Sequence, residues 1–396
     1  MQAWYKKFSS QPHQPFFVSG ILFFILFMML FTASYSNILT LDNSVFSFHA
    51  YPMVFVIFIQ FFLGFLFVVF PRFLIQAEIA IKEYMNQFLL YFFSSLGIFL
   101  SLIFFPKITF IFQIMMLLAQ ILSFKLLYSI HKKSIVKIKE DTKWVLISFF
   151  AGLIFHGLFI FSTSEFPYSF EVSKFALNGG FYLFLFMVIF VISQRMIPFF
   201  FFFKAPNYVA NKSANLLTIV FSLLVFKVVL LSFDNAKLNL LADIPLFIMI
   251  TRELIKWKLP FFKVPAIMWV LYLGLYWIPF AFLISIIEGI TAFIDPTIIF
   301  EKAVIHTMSL GYFLTVLVGF GTRVILGHSG TTPHANNFAI FIFIVIQFIA
   351  ILRIFTSFSS NFGLDYIFLI NLTAVLLIIG LIVWSSKYLT ILLKGK

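Results

Sequence analysis

Twelve apolar runs restrict this chain to one kind of architecture. They lie at residues 16–36, 53–75, 86–105, 108–130, 143–162, 177–203, 216–233, 238–250, 264–287, 303–326, 338–355 and 364–388. A helix crosses the hydrocarbon of a bilayer with about 20 apolar residues, and most of the runs approach or exceed that length. Inside lipid each backbone N–H and C=O must find its partner within the segment, which makes such runs helices rather than open strands. The run at 238–250 is the shortest and the weakest member of the set. Only 10% of the 396 residues are charged and 62% are hydrophobic, whereas a soluble chain is about 25% charged. The expected fold is therefore all-α: a polytopic integral membrane protein of about twelve transmembrane helices in one bundle. No stretch is polar enough for a separate soluble domain, so residues 1–396 read as a single transmembrane domain.

Charge gives the orientation. With the N-terminus in the cytoplasm, alternate loops place 21 of the 27 Lys and Arg residues on the inside. Asp42, Glu165, Glu171, Asp234, Glu288, Asp295, Glu301 and Asp365 fall opposite. This is the positive-inside pattern, and it predicts two cytoplasmic termini. The net charge of +13 thus reflects topology. The basic residues form no continuous face, which excludes a nucleic-acid partner, and the expected partner is the lipid bilayer. The loop at 128–143, with His131 and five lysines, reads as a segment facing lipid headgroups. Lys6 and Lys7 precede the first run, which is longer than the roughly 7–15 apolar residues of a signal peptide, so it reads as a retained helix.

The 63 phenylalanines exceed what any stacking or cofactor role requires and read as lipid-facing filler. Cysteine is absent. That removes disulfides, thiolate-ligated haem and cysteine-held clusters, and leaves His, Met, Tyr, carboxylates or backbone as metal ligands.

The seven histidines sort by topology. His13, His131, His328 and His334 fall inside, while His49, His156 and His306 lie near the outer ends of their helices. Three imidazoles at similar depth suit a metal or haem iron, although a membrane histidine equally serves as a hydrogen bonder between helices. His49 and His306 are the leading outer ligands, with His156 a third. At helical spacing His49, Met53 and Gln60 share a stripe. In the tenth run His306 stands at one mouth and Arg323 with His328 at the other, and 22 residue steps span roughly 33 Å. Gly311, Thr315 and Gly319 share one face there and read as a close packing seam. At the inner ends His13, Arg72, Arg195, Arg323 and His328 lie at similar depth. They suggest a cationic pocket for an acidic group such as a haem propionate, with arginines snorkelling to headgroups as the alternative. Lys227 and Asp243 lie at nearly equal distances from the hairpin tip at 234–237 and should pair.

Several of these motifs together resemble a family. Pro12-His13-Gln14-Pro15-Phe16-Phe17, His49-Ala50 with Met53, and Gln194-Arg195-Met196-Ile197-Pro198-Phe199-Phe200 are similar to NnrS-family membrane proteins. So is His306 followed by Arg323 and Leu326-Gly327-His328-Ser329-Gly330, and the similarity runs from residue 12 to about 330. The resemblance implies twelve transmembrane helices, haem and copper, a bacterial inner-membrane location, and a role in tolerating nitric oxide and nitrosative stress. Nitric oxide or another small gas is the implied small partner. Where relatives carry a second histidine and a glutamate this chain has Tyr51 and Pro52, and Tyr272 replaces another histidine. Loss of copper with retention of haem is the simpler consequence. Tyr51 and Tyr272 would stand at the outer site, either hydrogen-bonding a gas or an axial ligand, or only packing. The rival class is a twelve-helix secondary transporter of a small solute or anion, and a haem–copper oxidase chemistry would need more closely grouped histidines than the chain has.

Overall fold

The computed structural model describes residues 2–164, 166–202, 208–259, 264–328 and 335–394. Thirteen helices and no strands occur among them. A short α1 (Gln2–Phe8) precedes the membrane set. Then follow α2 (His13–Tyr35), α3 (Phe46–Phe73), α4 (Ile81–Phe104), α5 (Pro106–Lys133), α6 (Glu140–Ser162) and α7 (Ser169–Phe200). The remainder are α8 (Leu216–Phe233), α9 (Ala236–Trp257), α10 (Ala266–Ile294), α11 (Ala303–Gly327), α12 (Asn337–Phe362) and α13 (Tyr366–Lys394). Eleven of these are long and apolar enough to cross a membrane. The twelfth, α9, is 22 residues long but carries Lys237, Asp243, Arg252, Glu253 and Lys256. The chain is a polytopic membrane protein.

Breaks between helices follow local chemistry. Asn336 caps α12 by accepting from the Ala339 N–H, and Asp365 accepts from the Phe368 N–H at the start of α13. Such caps satisfy N–H groups that have no partner in the first turn. Gly363, at φ +68°, takes the left-handed conformation that ends the α12 segment, which glycine adopts without steric cost. Asp234, at φ +50°, turns the chain between α8 and α9.

Three of the long helices widen locally into π-helix: α3 over Phe46–Ala50 and Pro52–Ile57, α7 over Gly180–Phe186, and α11 over Thr307–Leu314. Such i→i+5 turns are rare and concentrate at functional sites.

The described residues fall into two compact units, residues 1–189 with 385–396 and residues 190–384. In the first unit the phenylalanines do more than face lipid. Phe16, Phe23, Phe27, Phe55 and Phe70 are fully buried, and Phe16 meets Phe67, Phe88 and Tyr91 edge-on with centroids 5.6, 5.7 and 5.9 Å away. The filler reading is therefore corrected: lipid alone gives no driving force for helices to associate, so rings seated in small-residue notches supply the packing. The α2–α3 contact shows the device twice. Gly20 faces the Phe61 ring and Gly64 faces the Phe17 ring, where an added Cβ would lie 2.8 and 2.9 Å from ring carbons. Phe93 and Phe104, by contrast, remain exposed on the outside of α4.

The second unit contains the expected seam on α11. Gly311 lies against Trp277 and Gly319 against Leu271 of α10, with a Cβ at either position 2.5 or 2.7 Å from those side chains. The expected ion pair is also there. Lys227 Nζ lies 2.6 Å from Asp243 Oδ1, both side chains are buried, and Ser285 Oγ donates to Asp243 Oδ2 at 2.6 Å.

Candidate functional site

In the first unit the chemistry gathers around the widened part of α3. A π turn that passes into ordinary α-helix disturbs the regular carbonyl pairing, and here side chains supply donors. Gln60 Nε2 donates to the Val56 carbonyl at 2.9 Å, and Gln120 Nε2 of α5 donates to the Phe55 carbonyl at 2.8 Å. That fixes the Gln120 amide with its oxygen toward His156, whose Nδ1 lies 2.8 Å away. An amide oxygen only accepts, so Nδ1 carries the proton. His156 Nε2 is then the acceptor, and the Tyr51 hydroxyl donates to it at 2.9 Å. Phe55 stacks on the imidazole at 4.7 Å and Phe159 stacks on Tyr51 at 4.8 Å. The chain Tyr51–His156–Gln120–Phe55 carbonyl is fully buried.

This network changes the reading of two expected site residues. Both nitrogens of His156 are occupied by protein hydrogen bonds, so it serves as a bridge between α3, α5 and α6 rather than as a third ligand. Tyr51 lies at the network's end with its proton committed to His156. The sequence singled out Tyr51 and His156 separately, and their pairing across 105 residues left no local trace. Gln120 escaped notice altogether. Its signal was a second amide, Gln113, two turns earlier on the same face of an apolar helix.

His49 belongs to the first unit and packs on Phe31 with ring centroids 4.4 Å apart. Gln60 instead meets Ser95 Oγ of α4 at 3.1 Å. The expected His49–Met53–Gln60 stripe assumed a uniform 3.6-residue repeat, and the intervening π turns shift its phase. Met53 is half-buried within those turns.

His306 belongs to the second unit and ends the turn that leads into the π segment of α11. Its Nδ1 lies 2.9 Å from the Lys302 carbonyl. A carbonyl cannot donate, so Nδ1 holds the proton and Nε2 the lone pair, the arrangement in which a second hydrogen bond orients a metal-ligating imidazole. Further along the same π segment Tyr312 donates to Ser193 Oγ at 3.2 Å. At its far end Thr315 Oγ1 accepts from Gln347, which accepts from Trp277 Nε1, at 2.8 and 2.7 Å.

Tyr272 is corrected as a neighbour of His306. The close approaches of Gly319 to Leu271 and of Gly274 to Val316 set the α10–α11 register. They place Tyr272 about twelve residues along α11 from His306, roughly 18 Å at helical rise. Tyr272 is fully buried, and its hydroxyl has no hydrogen-bond partner among the described residues.

The residues expected at the inner pocket belong to both units. Arg72, with half its side chain exposed, pairs with Glu78 at 3.2 Å. That surface ion pair replaces its assignment to a buried pocket, because a carboxylate six residues on satisfies the guanidinium locally. His13 is buried, with its ring edge-on to Phe17 at 6.0 Å. In the second unit Arg323 lies over the Phe200 ring at 3.9 Å, so α7 and α11 do converge at this end. Arg195 is half-buried five residues before Phe200. The side chains of His328 and all of His334 lie outside the described residues.

The Gln194-Arg195-Met196-Ile197-Pro198 motif has a structural logic. Pro198 has no N–H to give the carbonyl four residues back, that of Gln194. Lys212 donates to that carbonyl instead and to Gln194 Oε1 at 2.9 Å. Tyr208, in the same connection, donates to the Trp257 carbonyl at 2.5 Å. Burial pushes its phenol up to about 12, so it remains a donor at any physiological pH.

Among the described residues no three His, Asp or Glu side chains come together to hold a metal ion. No curated protein matches the chain. The family model described as "NnrS protein" matches residues 7–396. That match takes in the histidine motifs, the proline-capped end of α7 and nearly the whole helical set, and the protein belongs to the NnrS family.

Proposed function

We propose that this protein is a haem protein of the bacterial inner membrane that acts in the response to nitric oxide and nitrosative stress. The observation that carries the reading is His306, whose tautomer is fixed by the Lys302 carbonyl so that Nε2 holds the lone pair. Haem, when bound, supplies an iron that takes nitric oxide as a ligand. The chain's own part is to hold the axial imidazole and exclude water, and the apolar residues of α10 and α11 suit the second task. Ala303, Val304 and Ile284 pack together beside His306, with Phe300 and Phe358 against them. His49 is the second candidate imidazole. Arg195, Arg323 and His328 are candidates for an acidic group of the cofactor. Copper is the open part of this reading, since Tyr51, Pro52 and Tyr272 stand where relatives carry a histidine, a glutamate and a histidine.

The test is an absorption spectrum with iron and copper analysis on the purified protein. A Soret band that shifts on adding nitric oxide is expected, and His306→Ala should abolish or move it. His49→Ala tests the second imidazole in the same way. Protein that binds no haem under haem-sufficient expression removes this reading. Solute uptake by the same preparation in proteoliposomes would put the transporter class in its place.

A further inference from the structure

The first unit contains a cleft of about 710 Å³ that none of the histidine chemistry uses. It lies between the α2–α3 connection, the first turns of α5, the end of α6 and the start of α7. A space of this size belongs to the range of small organic ligands, roughly 300–1,000 Å³, well beyond what a diatomic gas needs.

Its polar lining divides into two groups. Ser162, Thr163 and Ser173 return their hydroxyls to carbonyls of their own helices, those of Phe159, Ile160 and Phe170. Three other residues of its walls each carry a buried polar atom with no hydrogen-bond partner among the described residues: Thr109 Oγ1, Gln113 Oε1 and Asn43 Nδ2. Thr109 and Gln113 are 5% and 2% exposed and stand one turn apart on α5, while Asn43 comes from the α2–α3 connection. An unmet buried polar atom costs about 1–3 kcal/mol, so three around one space point to something that meets them.

The rest of the lining selects the class. Phe46 and Phe170 stack at 5.4 Å with their planes 13° apart, and Phe110 and Phe159 complete an aromatic wall suited to a flat ring. Phe110, Ile114 and Phe161 are exposed on the outside of membrane-spanning helices, which leaves room for an apolar tail to run into lipid. Among the described residues no His, Met or Tyr lines the cleft, so nothing there offers haem an axial ligand. Lys107 is the only cation among the described residues of the lining, and one lysine is a poor cradle for a phosphate. Gln113 Oε1 asks for an N–H or O–H donor, which a phosphate group itself lacks and a quinol ring hydroxyl supplies.

We propose that the cleft between α3, α5, α6 and α7 binds the ring of a lipid-borne quinol. Gln113 and Thr109 hold one ring hydroxyl and Asn43 donates to the other oxygen. Gln120, two turns below Gln113 on α5, places this site on the same helical face as the buried Tyr51–His156 network.

The test uses the full chain in phosphatidylcholine nanodiscs with a decyl-tailed benzoquinol and its azido derivative. Saturable binding is expected, with photolabel recovered in peptides from α3, α5, α6 or α7. Gln113→Leu and Thr109→Val should each weaken binding about tenfold, the loss of roughly one hydrogen bond. Ser173→Ala, whose hydroxyl is already satisfied, should bind as the parent does. The two α5 variants are checked against each other so that a folding defect in one does not decide the matter. Unchanged affinity in a folded variant, label elsewhere, or displacement of the quinol by phosphatidylglycerol vesicles would each overturn the proposal, the last in favour of a phospholipid headgroup.

Discussion

A lysine and an aspartate, both fully buried inside membrane helices, are tolerable only as a pair. Lys227 and Asp243 meet at 2.6 Å, and Ser285 gives the second carboxylate oxygen its own donor. Asp243→Ala should therefore cost about 3–5 kcal/mol, because it strands the ammonium. The double replacement Lys227→Met with Asp243→Leu should lie within about 1–2 kcal/mol of the parent, since apolar pairs often replace buried ion pairs neutrally. Thermal unfolding in detergent measures both, and a double variant as unstable as the single one would show a role beyond pairing. This contact was legible in the sequence because a hairpin fixes the depth of both residues. The Tyr51–His156–Gln120 chain was not, because its members come from three helices and nothing local encodes which faces meet. Tyr51→Phe removes the donor to His156 Nε2 and leaves a buried acceptor unmet, for an expected loss of about 1–3 kcal/mol. A change below about 0.5 kcal/mol would mean that stacking alone holds the imidazole.

Whole helices were easier to read than their interiors. Run boundaries in the sequence follow from hydropathy and charge, and several observed helices run well past them, as Ala236–Trp257 does past 238–250. Hydropathy carries no sign of the i→i+5 turns, so facing arguments that assumed a uniform repeat failed beyond them. His49 and Gln60 turn to different helices for that reason. The end of α7 offers a clean test of how an interruption is repaired. Lys212→Met should destabilise by about 1–3 kcal/mol, because Pro198 leaves the buried Gln194 carbonyl with no backbone donor. Adding Pro198→Ala restores an N–H at that position and should recover most of the loss. If Pro198→Ala rescues nothing, Lys212 acts through its bond to Gln194 Oε1 or its place over the Trp257 ring instead.

At the scale of the whole chain, the number of crossings decides the topology, and α9 is the helix in question. Eleven helices are apolar enough to cross without argument, whereas α9 carries five charges over 22 residues. Eleven crossings would put the chain ends on opposite sides of the membrane. Within the first unit, however, Trp4 Nε1 donates to the Leu393 carbonyl at 2.8 Å, so both ends lie on one side. We therefore expect an even count, with α9 as the missing crossing. Its charges allow this: Asp243 is neutralised by Lys227, while Arg252, Glu253 and Lys256 lie in its last turns, where Glu253 accepts from the Ser213 N–H and Trp257 Nε1 and Lys256 donates to Ser213 Oγ. Charge predicts the side, since Lys6, Lys7, Lys387 and Lys394 favour the cytoplasm and Asp295 and Glu301 border the loop between α10 and α11. Alkaline phosphatase fused after residue 394 should therefore be inactive, and the same enzyme inserted at 296–299 should be active. A second insertion at 234–235, between α8 and α9, should also be active, and one at 258–259 inactive. If both of those insertions report the same side, α9 does not cross, and the shared side of the two chain ends must have another origin.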